Sequence, residues 1–173
     1  MTNKKETIAE GRFINMVRRN GWEFVERNNT SAIIVILAVT EDGRMIFVEQ
    51  FREPVEKNVI ELPAGLAGDH PGHEDEAIES AARRELFEET GYEAESFEIL
   101  IEGPPSAGLS AEILTFVRAT GLKRTGPGGG ESTENITVHE IPPHSAEGWL
   151  QEQVASGKVV DPKVLVGLFY AVR

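Results

Sequence analysis

The chain has 173 residues, enough for a single domain with a full hydrophobic core. It contains no cysteine, so disulfides and thiolate metal sites are excluded. The formal net charge of -12 at pH 7 argues against binding to the phosphate backbone of a nucleic acid. No apolar run is long enough for a membrane span, and the N-terminal sequence MTNKKETIAEG lacks the apolar core of a signal peptide. We therefore expect one cytoplasmic domain, residues 1–173, with neither a nucleic acid nor a membrane as partner.

The first third of the chain has the pattern of successive β-strands. Residues 31–40 form a nearly continuous apolar and β-branched run, which is typical of a strand buried on both faces. A hairpin turn follows at residues 41–44, because Asp-Gly supplies the positive-φ position. Residues 13–20 form either a strand or a short amphipathic segment. The other strands predicted here are Trp22–Arg27, 45–51 and 58–62.

Residues 74–90 have helical spacing after a glycine-rich loop that begins near Gly65. Ile78, Ala82 and Leu86 form an apolar stripe, and Gly91 is placed to end the helix with a left-handed cap.

Three glutamates share one face of this predicted helix. Glu85, Glu88 and Glu89 lie at i, i+3 and i+4, so their carboxylates crowd together. Like charges this close raise one another's pKa and destabilise a helix unless a positive group lies among them. A hard divalent cation such as Mg²⁺ suits carboxylate and carbonyl oxygens. The alternative is a solvated acidic helix face without chemistry.

The loop and helix together form a longer pattern. Gly65 is followed by Glu76 and, after seven further residues, by RELFEETGY, which starts at Arg84. This resembles the Nudix box, Gly-x5-Glu-x7-Arg-Glu-U-x-Glu-Glu-x-Gly-U, where U is a bulky apolar residue. The one departure is that ten residues instead of five separate Gly65 from Glu76, which we interpret as a longer loop. The resemblance implies metal-assisted pyrophosphate cleavage on a Nudix-type α/β/α sandwich with a mixed β-sheet.

The resemblance also implies roles for individual residues. Glu85, Glu88 and Glu89, with the Ala64 carbonyl, would hold Mg²⁺ or, as a substitute, Mn²⁺, and Glu85 and Glu89 count as catalytic. Arg84 would clamp these carboxylates in place instead of touching substrate.

The general base of the similar enzymes is a glutamate in a loop before a late strand. Glu134 is the first candidate here, Glu131 the second and Glu140 the third; the alternative is an acidic turn without chemistry. A glycine-rich approach at residues 126–130, within the flexible segment 125–132, suits a loop that closes over substrate.

Outside the box, the segment ending at Arg52 resembles the Gln-Tyr/Phe-Arg segment of ADP-ribose pyrophosphatases and related nucleotide-sugar hydrolases. That resemblance gives Arg52 a phosphate-binding role, whereas the alternative is an ion pair with Glu53 or Glu56. Trp22, with Glu23 and Arg27, resembles a Trp-Glu-x-x-x-Arg segment of the same group.

In that group the tryptophan stacks on the nucleobase, the glutamate hydrogen-bonds it and the arginine helps to hold phosphate. The alternative is a Trp22 that anchors its strand to the core. The segment reaches across a two-fold axis in those relatives, so the resemblance implies a homodimer whose interface includes residues 1–30 or so.

Ala107 and Leu109 belong to a substrate-binding loop in this resemblance. Ala107 stands where ADP-ribose pyrophosphatases have proline, which favours a broader nucleoside diphosphate sugar hydrolase. The elements predicted around this loop are strands at 95–101, 109–119 and 136–141, and helices at 145–156 and 162–172. Four histidines lack metal-ligand spacing and are interpreted as loop or surface residues: His70, His73, His139 and His144.

The resemblance thus implies Mg²⁺-dependent cleavage of nucleoside diphosphate sugars, of the ADP-ribose or GDP-mannose type, to a nucleoside monophosphate and a sugar phosphate. The alternatives are hydrolysis of a dinucleoside polyphosphate or of CoA, and a nucleotide-sensing binding module.

Overall fold

The computed structural model describes residues 4–28, 30–69, 72, 74–130 and 134–172. Three α-helices lie in this part of the chain: α1 (Ile78–Thr90), α2 (Ala146–Ala155) and α3 (Lys163–Ala171). The strands there are β1 (Glu6–Glu10), β2 (Ile14–Arg19), β3 (Trp22–Arg27), β4 (Ala32–Ala38), β5 (Met45–Arg52), β6 (Lys57–Glu61), β7 (Ala64–Ala67), β8 (Tyr92–Glu93), β9 (Ser96–Gly103), β10 (Leu114–Thr120), β11 (Lys123–Arg124), β12 (Thr137–Ile141) and β13 (Val159–Val160). No helix in the described ranges is both long and apolar enough to cross a bilayer.

Strand β4 lies at the centre of the fold because both of its faces are buried. Ile34 packs in one core cluster with Leu86 of α1, and its neighbour Val35 packs in a second cluster with Val164 of α3. Successive side chains of a strand point to opposite faces, so the helices cover both sides of the sheet. The predicted α/β/α sandwich is confirmed.

The sheets are mixed, as predicted. One has the strand order β7-β4-β10-β9 with β10 parallel to β4, and another has the order β12-β5-β6-β13 with β13 parallel to β6. The antiparallel sheet β1-β2-β3 docks beside them through Val25, whose N–H donates to Leu109 O at 2.9 Å. Residues 13–20 are therefore a strand rather than an amphipathic segment.

Several predicted boundaries are wrong. Helix α1 begins at Ile78 and not near residue 74, because the Glu76 side chain folds back onto Arg84 and the Gly68 N–H. Strand β10 starts at Leu114, since the N–H of Leu109 donates to Ser106 O in a turn. The glycine-rich segment after the predicted strand at 58–62 contains strand β7, and no strand was expected where β1 lies.

Candidate active site

Strand β7 lies directly against the acidic face of α1. The backbone N–H of Ala64 donates to Glu89 Oε2 at 3.1 Å, and the N–H of Leu66 donates to Glu85 Oε1 at 3.2 Å. A Cβ on Gly65, between them, would overlap the Glu85 carboxyl group. Only glycine therefore lets the strand approach closely enough for both hydrogen bonds.

The two carboxylates are buried, and burial dominates their ionisation. Glu89 is 5% exposed, and this burial raises the pKa of its carboxyl group well above the ordinary value. The hydrogen bond from the Ala64 N–H opposes the increase, and the charges of Glu85 and Glu134 add to it. Burial likewise raises the pKa of Glu85 to about 7, with Glu88 contributing and Arg84 opposing. Both anions would be stabilised by a cation beside them.

Arg84 is the positive group already present among these carboxylates. Its Nη1 donates to Glu85 Oε1 at 2.8 Å and to Glu88 Oε2 at 3.3 Å. Its Nη2 donates to Glu76 Oε2 at 3.1 Å and to the Leu66 carbonyl at 2.9 Å. The guanidinium thus ties the loop, strand β7 and helix α1 together, which confirms the prediction that Arg84 clamps the box.

The donor set suits a hard divalent cation. Glu85, Glu88 and Glu89 present carboxylate oxygens from one helix face, and Ala64 lies opposite Glu89 on β7. Among the described residues, no three of these side chains lie close enough together to hold a metal ion, since Glu85 and Glu88 each bond to Arg84. Their oxygen chemistry and unfavourable buried charge fit Mg²⁺ or Mn²⁺.

Glu134 and Arg52 approach the same carboxylates from neighbouring elements. The charge of Glu134 raises the pKa of Glu89 and that of Arg52 lowers it, so both groups act on one site. Gln50 Nε2 of β5 donates to Glu134 Oε1 at 3.4 Å. The structure therefore brings Glu134, the first candidate for the general base, close to Glu89 on helix α1.

Arg52 has a different partner from those considered in the sequence. Its guanidinium reaches Glu61 Oε2 at 2.7 Å, not Glu53 or Glu56. Glu61 ends β6 and is 8% exposed, so this pair fixes Arg52 at the edge of the site.

The other two candidates for the general base are Glu131 and Glu140. Glu131 lies outside the described residues. Glu140 accepts a hydrogen bond from the Tyr92 hydroxyl at 2.7 Å and pairs with Arg124 at 3.6 Å. Burial and this hydrogen bond raise the pKa of Tyr92 to about 12. Because its carboxylate is engaged there, the geometry favours Glu134 over Glu140.

Trp22 is exposed at the start of β3, beside the loop that contains Ala107. The residue is 62% exposed, so the alternative that it anchors β3 to the core is wrong. Its indole Nε1 donates to the Gly108 carbonyl at 3.2 Å, and this bond lies in the plane of the ring and does not occupy a ring face. Trp22 and Ala107 line a cavity of about 310 Å³, and Leu109 beside it is 60% exposed.

The two charged residues near Trp22 are held by neighbours. Glu23 accepts from Arg18 Nη2 at 2.6 Å, and Arg27 Nε donates to Glu112 at 2.7 Å. Their roles toward substrate stay predictions.

A polar cluster elsewhere has no counterpart in the sequence analysis. Glu49 Oε2 lies 2.7 Å from Lys158 Nζ and 3.0 Å from His139 Nε2, and Glu49 Oε1 accepts from Asn58 at 2.9 Å. The interpretation of His139 as a loop or surface residue is wrong, because it lies in β12 with its ring 5.1 Å from that of Trp149. His70 and His73 lie outside the described residues.

Comparisons with known proteins agree with this geometry. A family model described as the NUDIX domain matches residues 28–157. The GDP-mannose pyrophosphatase of Yersinia pestis (strain Pestoides F) is 32% identical over 171 residues, covering 94% of this chain and 78% of the relative. The methanol dehydrogenase activator of Bacillus methanolicus is 32% identical over 140 residues, covering 79% and 70%.

A shorter match and a solved structure complete the comparison. The ADP-ribose pyrophosphatase of Bacillus subtilis (strain 168) is 40% identical over 83 residues, covering 47% of this chain and 41% of the relative. A crystal structure of an ADP compounds hydrolase has a TM-score of 0.64 and 23% identity, covering 86% of this chain and 80% of its own, which confirms the fold. The match over most of the chain confirms the resemblance found in the box: the protein belongs to the Nudix family.

Proposed function

We propose that the protein is a Mg²⁺-dependent pyrophosphohydrolase of nucleoside diphosphate sugars. The observation on which this depends is the carboxylate face of α1. There β7 N–H groups donate to Glu85 and Glu89, and the Arg84 guanidinium donates to Glu85 and Glu88. A cation held there, with the Ala64 carbonyl as a further ligand, would neutralise a bound diphosphate and lower the pKa of an attacking water. Mn²⁺ is a substitute of similar chemistry.

The chain's own residues divide the remaining work. Arg52, fixed by Glu61, and Arg27 position the phosphate oxygens of the substrate. Glu134 accepts the proton as the water oxygen bonds to phosphorus. The anhydride P–O bond breaks, and the products are a nucleoside monophosphate and a sugar phosphate.

Trp22 supplies the base-recognition part of the proposal. Its side chain is exposed beside Ala107, and stacking on a nucleobase is worth roughly 1–3 kcal/mol. The relatives' names, GDP-mannose pyrophosphatase and ADP-ribose pyrophosphatase, support a nucleotide-sugar substrate class.

We further propose a cytoplasmic homodimer with a single domain per chain. Sheet β1-β2-β3 exposes the apolar side chains of Ile8, Ile14 and Met16, and Phe13 is exposed just before β2; a second copy would cover them.

The test is product release from a panel containing ADP-ribose, GDP-mannose, other nucleotide sugars, diadenosine polyphosphates and CoA, with Mg²⁺ and with EDTA. A coupled phosphatase detects the monoester products. Metal-dependent cleavage of several nucleotide sugars would support the proposal. Preference for diadenosine polyphosphates or CoA would replace the substrate class, and no turnover by the folded dimer would favour a binding role.

A further inference from the structure

The glycine-rich segment 126–130 is bonded to the end of helix α1. The N–H of Gly129 donates to the Glu89 carbonyl at 2.8 Å, and the N–H of Gly130 donates to the Glu88 carbonyl at 2.9 Å. The last carbonyls of a helix have no partner within the helix, so this segment satisfies them. Glu88 and Glu89, two of the three residues whose carboxylates are metal-ligand candidates, therefore also hold the segment through their backbone carbonyls.

The same segment holds the residues around Glu134. The carbonyl of Gly129 accepts a hydrogen bond from the N–H of Ile136 at 3.1 Å. Residue Gly129 thus bonds to the backbone of Glu89 through its N–H and to the backbone of Ile136, two residues past Glu134, through its carbonyl. This bridge links the helix to the general-base candidate through two hydrogen bonds.

Gly130 leaves the space that the Glu134 side chain fills. A Cβ on Gly130 would lie 2.5 Å from Glu134 Oε2 and 2.8 Å from Glu134 Cβ. Contacts this short do not occur between a real Cβ and its neighbours, so the Glu134 carboxylate would have to move. The φ of Gly130 is 81°, which glycine adopts freely.

We propose that Gly130, held by its bridge to α1, is a positioning residue that sets where the Glu134 carboxylate lies relative to Glu89. The segment is then a fixed support for the base, in contrast to the closing loop expected from its composition. This inference rests on the proposed hydrolysis, and in particular on Glu134 as its general base.

The experiment compares Gly130→Ala with Gly129→Ala. Both glycines have positive φ, 81° and 106°, so both alanines strain the backbone. Among the described residues, a Cβ on Gly129 would meet only Ile136 O, at 3.9 Å, which is an ordinary contact. The difference between the two variants therefore isolates the displacement of Glu134.

We expect Gly130→Ala to lower kcat about tenfold or more beyond Gly129→Ala, with KM little changed, because general-base catalysis typically contributes about 100- to 10,000-fold. In a Glu134→Gln background the extra loss should shrink to about twofold or less, since residues acting through one group are not additive. A merely structural role would give the same loss in both backgrounds and would overturn the proposal.

Failure of the proposal is distinguishable from failure of the proposed function. If the wild-type protein hydrolyses nucleotide sugars but Glu134→Gln does so equally well, the positioning role is overturned while the hydrolase remains. A crystal structure of Gly130→Ala gives a readout without turnover: an unmoved Glu134 carboxylate overturns the proposal, and a displaced one supports it. Gly130→Asn serves if the alanine variant does not fold, because asparagine tolerates positive φ better and still carries the Cβ.

Discussion

Replacing Arg84 with alanine tests the electrostatic support of the site. The guanidinium contacts Glu76, Glu85 and Glu88, whose side chains are 8%, 13% and 31% exposed. Without the guanidinium, the carboxylates of Glu76 and Glu85 lose their positive partner, and Glu85 remains close to the carboxylate of Glu89. The free energy of unfolding of this variant should therefore decrease even in the absence of substrate.

The expected loss follows from the burial of the partners. Removing one member of a buried ion pair typically costs 3–5 kcal/mol, and the 23% exposure of the Arg84 side chain places the loss near the lower end, at about 3 kcal/mol. For a chain of this size, that corresponds to a decrease in Tm of roughly 6–12 °C.

Arg83→Ala is the matched control, since it removes the neighbouring arginine from the same helix. Arg83 pairs with Glu79 through side chains that are 43% and 61% exposed, donates to the Ala94 carbonyl and lies over the Phe97 ring. Its removal should therefore cost less than that of Arg84, at about 1–2 kcal/mol. Urea unfolding in EDTA, followed by circular dichroism, measures both variants without bound metal. Equal losses for Arg84→Ala and Arg83→Ala would refute the reasoning, and Arg84→Lys should lie between wild type and alanine because it keeps the charge without the planar fork.

Three further predictions concern other parts of the chain. Glu89→Gln should reduce kcat by orders of magnitude in the Mg²⁺-dependent assay while thermal unfolding shows an intact fold, because the amide keeps the shape without the metal-binding charge; near-wild-type turnover would remove Glu89 from the metal site. Trp22→Ala should raise KM for nucleotide sugars roughly 5- to 150-fold, as expected for lost stacking, and Trp22→Phe should retain most of the affinity; an unchanged KM would mean that the base binds elsewhere. Burial would raise the pKa of Glu49, but hydrogen bonds from Lys158, His139 and Asn58 outweigh it and lower the pKa. The charged form of Glu49 therefore stabilises the fold at pH values above its ordinary pKa. This contribution is lost as the pH falls through the lowered pKa. Glu49→Gln should therefore destabilise the protein at pH 7 and differ less from wild type below about pH 4, and a pH-independent difference in urea unfolding would contradict the assignment.

The sequence predicts those parts of the site that depend on local spacing. Glu85, Glu88 and Glu89 share a face because a helix repeats every 3.6 residues, and Arg84 follows from the same motif. The partner of Arg52 could not be predicted, because Glu61 comes beside it only when β5 and β6 pair. Such pairing depends on the packed sheet and not on neighbouring sequence.

Contacts between residues far apart in the chain are even harder to predict from sequence. Lys158 lies 109 residues from Glu49 in the chain, so no local pattern marks their contact. The start of α1 at Ile78 could not be predicted either. The Glu76 side chain bonds to Arg84 and to the Gly68 N–H, and these contacts compete with an earlier start of the helix.

The anchoring of Glu76 explains how the box accommodates its longer loop. Gly68 and Arg84 both bind the Glu76 carboxylate, so the start of the extra segment and its end are fastened to the same side chain. Doubling the length of a flexible loop costs only about 0.6 kcal/mol in closure entropy. The length of the spacer can thus change at little cost to helix α1, and a fixed count of five residues is not a physical requirement for placing the glutamates of this helix.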